Sequence, residues 1–198
     1  MTTFADISAF VVAGGKSSRM GRDKAFIELE GRSLLQRVLT LAQAVSDKIA
    51  IVGDPEKFAS FAPVVPDVFV AAGPLGGIHA ALQTTTTDLN LVLAVDMPFL
   101  DVAFVHYLVG QARTSSEWVL VPSVEGRLQP LCALYQRGFA AIAETALRAG
   151  RNKIDALFAQ VPTRILDESQ WTPLGFSPAI FRNLNTPDDL QQVLKKSE

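Results

Sequence analysis

Four cations follow a glycine pair near the start of the chain. In VVAGGKSSRMGRDKA, residues 11–25, Lys16, Arg19, Arg22 and Lys24 come just after Gly14 and Gly15. Glycine lets backbone N–H groups approach a phosphate with no Cβ in the way. Arg19 can grip two phosphate oxygens in a fork, and Lys24 supplies a point charge. The group suits a polyphosphate; the other reading is a solvated basic turn. Gly15-Lys16-Ser17 looks like the end of a P-loop, but that pattern needs a glycine at position 10, which is Phe10. The dinucleotide fingerprint fails too, because Lys16 follows the pair directly and leaves no G-x-G step.

Other residues could complete such a site. Asp96 closes the apolar run LVLAV, where a carboxylate can hold Mg²⁺ beside substrate phosphates or simply cap the next segment. Asp67 follows Val64-Val65. The segment GPLGG, residues 73–77, offers open backbone at a helix start for a base edge or a phosphate. It also reads as an ordinary turn with proline at the first helical position. Asn183 and Asn185 share one face of an extended segment and could bind metal or phosphate. Alternatively, Asn185 or Thr186 caps the last helix. His79, His106 and Cys132 read as structural, because none has a catalytic partner near it in sequence. Trp118 and Trp171 read as core or loop aromatics.

These residues need elements to hold them. Residues 7–13 (ISAFVVA), 48–52 (KIAIV) and 91–95 (LVLAV) are short apolar runs of the kind buried on both faces of a parallel sheet. A shorter strand, third in chain order, is expected within 63–66. Ser33 can cap a helix over LLQRVLTLAQAV, whose Leu34, Leu35, Val38, Leu41, Ala42 and Val45 fall on one side. Further helices are expected over 73–82, 101–112, 138–149 and 153–159, and one beginning at Pro187. Extended segments are expected over 118–121, 131–135 and 164–166. Alternating strands and helices make an α/β sandwich with a mostly parallel sheet. In such sheets ligands sit beyond the carboxyl ends of the strands, where Gly14, Asp96 and Asp67 all fall. Thr84 to Thr87 reads as no more than a helix end, and 167–180 as a surface loop.

The chain of 198 residues suits one domain, residues 1–198. Its formal charge of −2 argues against a general nucleic-acid binder, so the local basic cluster carries more meaning than the total. A single cysteine rules out an intrachain disulfide. No run is long and apolar enough for a membrane helix, and the first residues lack a signal-peptide pattern, so a cytoplasmic protein is expected.

Taken together, the blocks resemble the molybdenum cofactor guanylyltransferases. Residues 11–24 are similar to that family's signature L-x-A-G-G-x-S-x-R-M-G-x-D-K, with valine in place of the leucine. GPLGGI, VDMPF, QPLCALY and NLNTPDDL are similar to further blocks in the family's order, over roughly residues 7–192. The resemblance implies a three-layer, Rossmann-like nucleotidyltransferase fold. It implies that GMP passes from GTP to the terminal phosphate of molybdenum-molybdopterin, with Mg²⁺ and release of pyrophosphate. It assigns nucleotide contacts to Val12, Ala13, Gly14 and Gly15, phosphate binding to Arg19 and Lys24, and metal binding to Asp96. Asp67 and the segment from Gly73 to Gly77 fall near the nucleoside, and Asn183 and Asn185 line the place of chemistry or of the second substrate. Transient contacts with molybdopterin-delivering and cofactor-accepting proteins are implied as well.

At one position the chain departs from the family. Some members carry an asparagine after the second strand; here Val52 and Gly53 stand there, so a contact must come from backbone or from Asp54. The rival readings are a CTP-dependent molybdopterin cytidylyltransferase, a sugar-phosphate nucleotidyltransferase and a non-catalytic nucleotide-binding module. The doubled glycine and GPLGG favour GTP by resemblance, and Asp96 together with Lys24 favours an enzyme. A pterin phosphate is already an anionic nucleophile, so cancelling the repulsion between two anions matters more than a strong base.

Overall fold

The structure, a computed structural model, describes residues 3–14 and 23–184. Gly15, Arg19 and Asn185, and the helix expected from Pro187, lie outside the described residues. In chain order the elements begin with β1 (Ile7–Val12), a hairpin of β2 (Glu28–Leu29) and β3 (Arg32–Ser33), α1 (Leu34–Val45), β4 (Lys48–Val52), α2 (Pro55–Phe58) and β5 (Val64–Val65). There follow α3 (Pro74–Thr84), β6 (Leu89–Ala94), α4 (Val102–Arg113), β7 (Val119–Val124), β8 (Arg127–Leu128) and β9 (Cys132–Gln136). The last are α5 (Phe139–Arg148), α6 (Asp155–Phe158), β10 (Thr163–Leu166) and α7 (Glu168–Trp171).

The main sheet runs β10-β7-β9-β6-β1-β4-β5, with β8 paired to the edge of β7. Along that path β9 alone runs antiparallel to its neighbours. β1 is buried along its whole length, and its period of two divides the interior. Ile7, Ala9 and Val11 pack with Leu35 of α1 and Phe104 of α4, while Phe10 and Val12 pack with Ile78 of α3 and Phe139 of α5. The result is the expected three-layer α/β arrangement. α1 forms where its apolar stripe and cap predict: Ser33 accepts from the Gln36 N–H, and the Gln36 side chain accepts from the Ser33 N–H. Such a reciprocal cap contributes about 1 kcal/mol.

The path of the chain creates a crevice. From β1 it moves to β4 and β5 on one side, then crosses by α3 to β6 on the other. The loops after β1 and β6 therefore leave the sheet in different directions and open a gap at its carboxyl edge.

Two expectations are corrected. Residues 167–180 are not simply a surface loop, because Trp171 is fully buried there. Its ring lies 5.6 Å from Phe104 and 5.8 Å from Phe181, and its Nε1 donates to the Leu166 carbonyl at 3.3 Å. Trp171 ends α7, and the aromatic area it buries holds a run of short helical turns that has no periodic signal in the sequence. Thr84 to Thr87 end α3, as expected, but also build a polar knot at the amino edge of the sheet. The Thr87 hydroxyl bonds Ser8 Oγ at 2.9 Å, Thr85 bonds Asn90 Oδ1, and Asn90 Nδ2 donates to the Tyr135 carbonyl at 3.3 Å.

Candidate active site

A cleft of about 640 Å³ lies at the crevice. It is within the size range of pockets that hold a nucleotide. Val12, Ala13, Gly14, Lys24, Asp67, Gly73, Gly77 and Asp96 all line it, so residues from five separate stretches of sequence meet at one place. Asn183 does not line it, but its neighbour Leu184 donates its N–H to the Asp96 carbonyl at 3.2 Å, which puts the Asn183 segment against the cleft floor.

The backbone explains how each wall is placed. The Val95 N–H donates to the Val12 carbonyl at 3.1 Å and the Ala13 N–H to the Val52 carbonyl at 3.0 Å, so the ladder continues one step past the strand ends and holds Ala13 beside Val95, one residue before Asp96. Gly73 has φ of 68° and ψ of −156°, a conformation that only glycine adopts readily, and it turns the chain into α3. Gly77 is needed for a different reason. A Cβ there would stand 3.0 Å from Val12 Cγ1, so glycine lets α3 press against the end of β1.

Lys24 opens a single 3-10 turn, Lys24–Phe26. Asp23 caps that turn by accepting from the Ala25 N–H at 3.2 Å, and its other oxygen pairs with Lys57 at 2.9 Å. This doubly used carboxylate, which the sequence reading missed, sets the direction of Lys24. Lys24 Nζ lies 3.3 Å from Asp96 Oδ2, and both side chains are about one-fifth exposed. Charge-assisted N–H···O bonds are normally shorter, about 2.7–2.9 Å, so this contact is loose enough to yield to a phosphate.

Asp67 stands at the mouth of the cleft. A Cβ on Gly14 would meet Asp67 Oδ2 at 3.3 Å, so the carboxylate lies close against the glycine backbone. Burial of the group raises its pKa above the usual aspartate value. Asn183 Oδ1 is buried and has no hydrogen-bond partner among the described residues. A buried unpaired oxygen is costly, and one beside a ligand cleft is often paired by the ligand or its ion.

Neither Val52 nor Asp54 lines the cleft. Val52 is fully buried beneath α3, and Asp54 caps α2 by accepting from the Glu56 N–H at 3.0 Å. That wall of the cleft is formed instead by Asp67 and residues 70–73, of which the sequence reading singled out only Asp67 and Gly73. The signal available was an apolar run, VFVAA, between Asp67 and a glycine-proline turn, where a loop is ordinarily polar. Leu131 was missed too; it lines the opposite end, and its carbonyl accepts from the Ala94 N–H at 2.7 Å.

The histidines and the cysteine are not part of the cleft lining. The ring of His106 packs on Phe4 at 5.8 Å, His79 is buried against Phe69, and Cys132 is buried in β9 with its thiol pKa pushed far up.

Comparison with known proteins agrees with this geometry. Residues 9–165 match the family described as the MobA-like NTP transferase domain. A protein of Clostridium perfringens named "Probable molybdenum cofactor guanylyltransferase" is 35% identical over 195 residues, covering 96% of this chain and 98% of that one. The molybdenum cofactor guanylyltransferase of Syntrophotalea carbinolica is 33% identical, covering 93% and 89%. The crystal structure of molybdopterin-guanine dinucleotide biosynthesis protein A from Archaeoglobus fulgidus superposes with a TM-score of 0.83 at 26% identity, covering 96% and 98%. By sequence and by fold, the chain belongs to the MobA-like NTP transferases, among the molybdenum cofactor guanylyltransferases.

Proposed function

We propose that this chain, acting as one nucleotidyltransferase domain in the cytoplasm, transfers GMP from GTP to the terminal phosphate of molybdenum-molybdopterin. The observation that carries the reading is the Lys24–Asp96 contact of 3.3 Å, which joins residues 72 positions apart at the carboxyl edge of one sheet. A cation and a metal-binding carboxylate on the same few ångströms of surface are what two approaching polyanions require. No helix among the described residues is long and apolar enough to cross a membrane.

The reaction makes one bond and breaks one. A terminal oxygen of the pterin phosphate attacks the α-phosphorus of GTP, a new P–O–P linkage forms, and the α–β bridge breaks to release pyrophosphate. The nucleophile is already an anion, so proton removal is not the difficulty and no histidine is needed as a base. Gly14 offers its backbone close to the phosphates, and Lys24 turns from Asp96 to the phosphate oxygens as they arrive. Gly15 and Arg19 are proposed to add an N–H and a second cation, and Asn185 to face the acceptor with Asn183. Asp67 and the backbone from Gly73 to Gly77 would hold the nucleoside.

Nucleotidyl transfer of this kind uses a divalent cation, and we take it to be Mg²⁺. The residues fit: Mg²⁺ commonly takes one or two carboxylates and completes its shell with substrate phosphates and water. Asp96 would hold it, and Asn183 Oδ1, which has no hydrogen-bond partner among the described residues, offers a neutral oxygen in the segment bonded to Asp96. Among the described residues no group of three or more acidic, histidine or cysteine side chains gathers, so the substrate phosphates would supply further ligands. When bound, the ion neutralises charge on the reacting phosphates.

The deciding experiment incubates the pure protein with Mg²⁺, molybdenum-molybdopterin and each nucleoside triphosphate in turn, and measures pyrophosphate. Release with GTP alone is expected. Release with CTP in its place would overturn the guanylyl assignment, and release with neither would overturn the transfer itself. Proteins that deliver molybdopterin and accept the finished cofactor are proposed to dock transiently at the cleft mouth.

A further inference from the structure

Residues 68–72 lead from Asp67 along one wall of the cleft, which Val70, Ala71 and Ala72 line, and their character is unusual for a loop. Val68 is 62% exposed and Val70 86% exposed, the highest value among the large apolar side chains. A single exposed valine is ordinary. Val70, however, lines the same cleft as Gly14, Lys24 and Asp96, and so do Ala71 and Ala72.

The backbone here is strained. Ala71 has φ of 60°, in the left-handed region. Among the described residues only Glu30 and Glu125 share that conformation without being glycine, and both sit beside a glycine in a hairpin turn. Ala71 is the third residue of a turn closed by the Ala72 N–H, which donates to the Phe69 carbonyl at 3.3 Å; that position calls for a positive φ and is ordinarily given to glycine or asparagine. A left-handed alanine costs on the order of 1 kcal/mol, and such strain persists where surrounding contacts over-determine it, often at ligand clamps.

Those contacts come through Phe69. Its ring meets the ring of His79 edge-to-face, at 5.1 Å and 75°. Its carbonyl oxygen would stand 3.1 Å from a Cβ on Gly76, so it is seated directly on α3. His79 is only 2% exposed, and neither ring nitrogen has a hydrogen-bond partner among the described residues. Burial keeps its pKa below the usual value, so the ring is neutral near neutral pH and packs as an aromatic. An unpaired buried imidazole is an expensive way to fill space unless the ring contact itself matters.

We propose that residues 68–72 are an apolar clamp on the nucleobase, in which Val70 covers the face of the base and His79, acting through Phe69, is a positioning residue. The identity of the base rests on the guanylyl-transfer reading. A purine offers a flat apolar face that an exposed valine at a cleft rim can cover, removing both from water. Asp67, at the start of the same segment, is then held at the correct height for the nucleoside.

The test uses the whole protein and two probes, GTP and inorganic tripolyphosphate, with equilibrium binding measured in the absence of acceptor. Val70→Ser is expected to weaken GTP binding about three- to tenfold and leave tripolyphosphate binding unchanged. Its melting temperature should not move, because Val70 is exposed. His79→Ala is expected to raise the KM for GTP about threefold at constant kcat, and His79→Phe, which keeps the ring contact, to restore it. Unchanged GTP affinity in Val70→Ser, or equal losses for both probes, overturns the clamp. A lower melting temperature in His79→Ala with an unchanged KM, or no rescue by phenylalanine, overturns the positioning role. If GTP yields no pyrophosphate with the acceptor, the transfer reading fails; the binding comparison still decides the clamp.

Discussion

The two edges of the central sheet treat buried polar groups in opposite ways. At the amino edge Ser8, Thr85, Thr87 and Asn90 are all buried, and they bond one another and nearby carbonyls. Ser46 does the same one strand away, donating to the Ile7 carbonyl at 2.7 Å and accepting from the Lys48 N–H at 2.9 Å. At the carboxyl edge the account does not close. Among the described residues Asn183 Oδ1 has no hydrogen-bond partner, and Ala71 takes a left-handed φ of 60°. A satisfied network rigidifies the fold, whereas unsatisfied groups at a cleft await a ligand. Stability is thus concentrated at one edge and recognition at the other.

That contrast can be broken deliberately. The largest effect is expected from Asp96→Asn, which would remove the charge of the proposed metal ligand. Turnover should fall on the order of a hundred- to a thousandfold while the melting temperature holds; near-normal turnover in saturating Mg²⁺ would defeat the assignment. Next comes Lys24→Ala, which is expected to weaken GTP binding on the order of ten- to a hundredfold and guanosine binding little. Titrations of both ligands check this, and equal losses would show that the lysine does not meet the phosphates.

The amino edge should behave in the reverse sense. Asn90→Ala leaves Thr85, Thr87 and the Tyr135 carbonyl without their shared partner. A loss of about 2 kcal/mol in stability is expected, read by denaturant unfolding. The KM and kcat of the folded fraction should stay as they were, and a large change in either would mean that the two edges are coupled.

The smallest effect concerns Asp67, whose pKa burial raises. Between the unfolded and folded values the native protein keeps a proton that the unfolded chain has lost, so stability falls as pH rises through that window. Asp67→Asn is expected to flatten this slope, leaving the ligand-free protein slightly more stable at neutral pH and poorer at binding GTP. Melting curves from acid to neutral pH measure it, and an unchanged slope would assign the pH dependence to another group.

The sequence was most legible where one residue type has one use. The apolar runs of β1, β4 and β6 announce strands covered on both faces, and Ser33 with Gln36 announces the start of α1. The pattern around Gly14, Lys24 and Asp96 was legible for the same reason, since glycines followed by cations and a carboxylate after a strand serve few purposes together. Val70, His79 and Asn90 were not legible. An exposed valine, a helical histidine and a threonine-rich turn each have many ordinary explanations, and only their neighbours select one.

By itself, then, the order of residues determined the layers of the fold and the family, and it marked Gly14, Lys24 and Asp96 as candidates, because local periodicity and short motifs are written within a few positions. Tertiary structure alone decided that Lys24 meets Asp96, that Asp23 caps the turn that carries the lysine, and that Asp67 and residues 70–72 rather than Val52 or Asp54 line the cleft. Such juxtapositions depend on the crossover between β5 and β6, and a contact between residues far apart in the chain leaves no trace in the spacing of either.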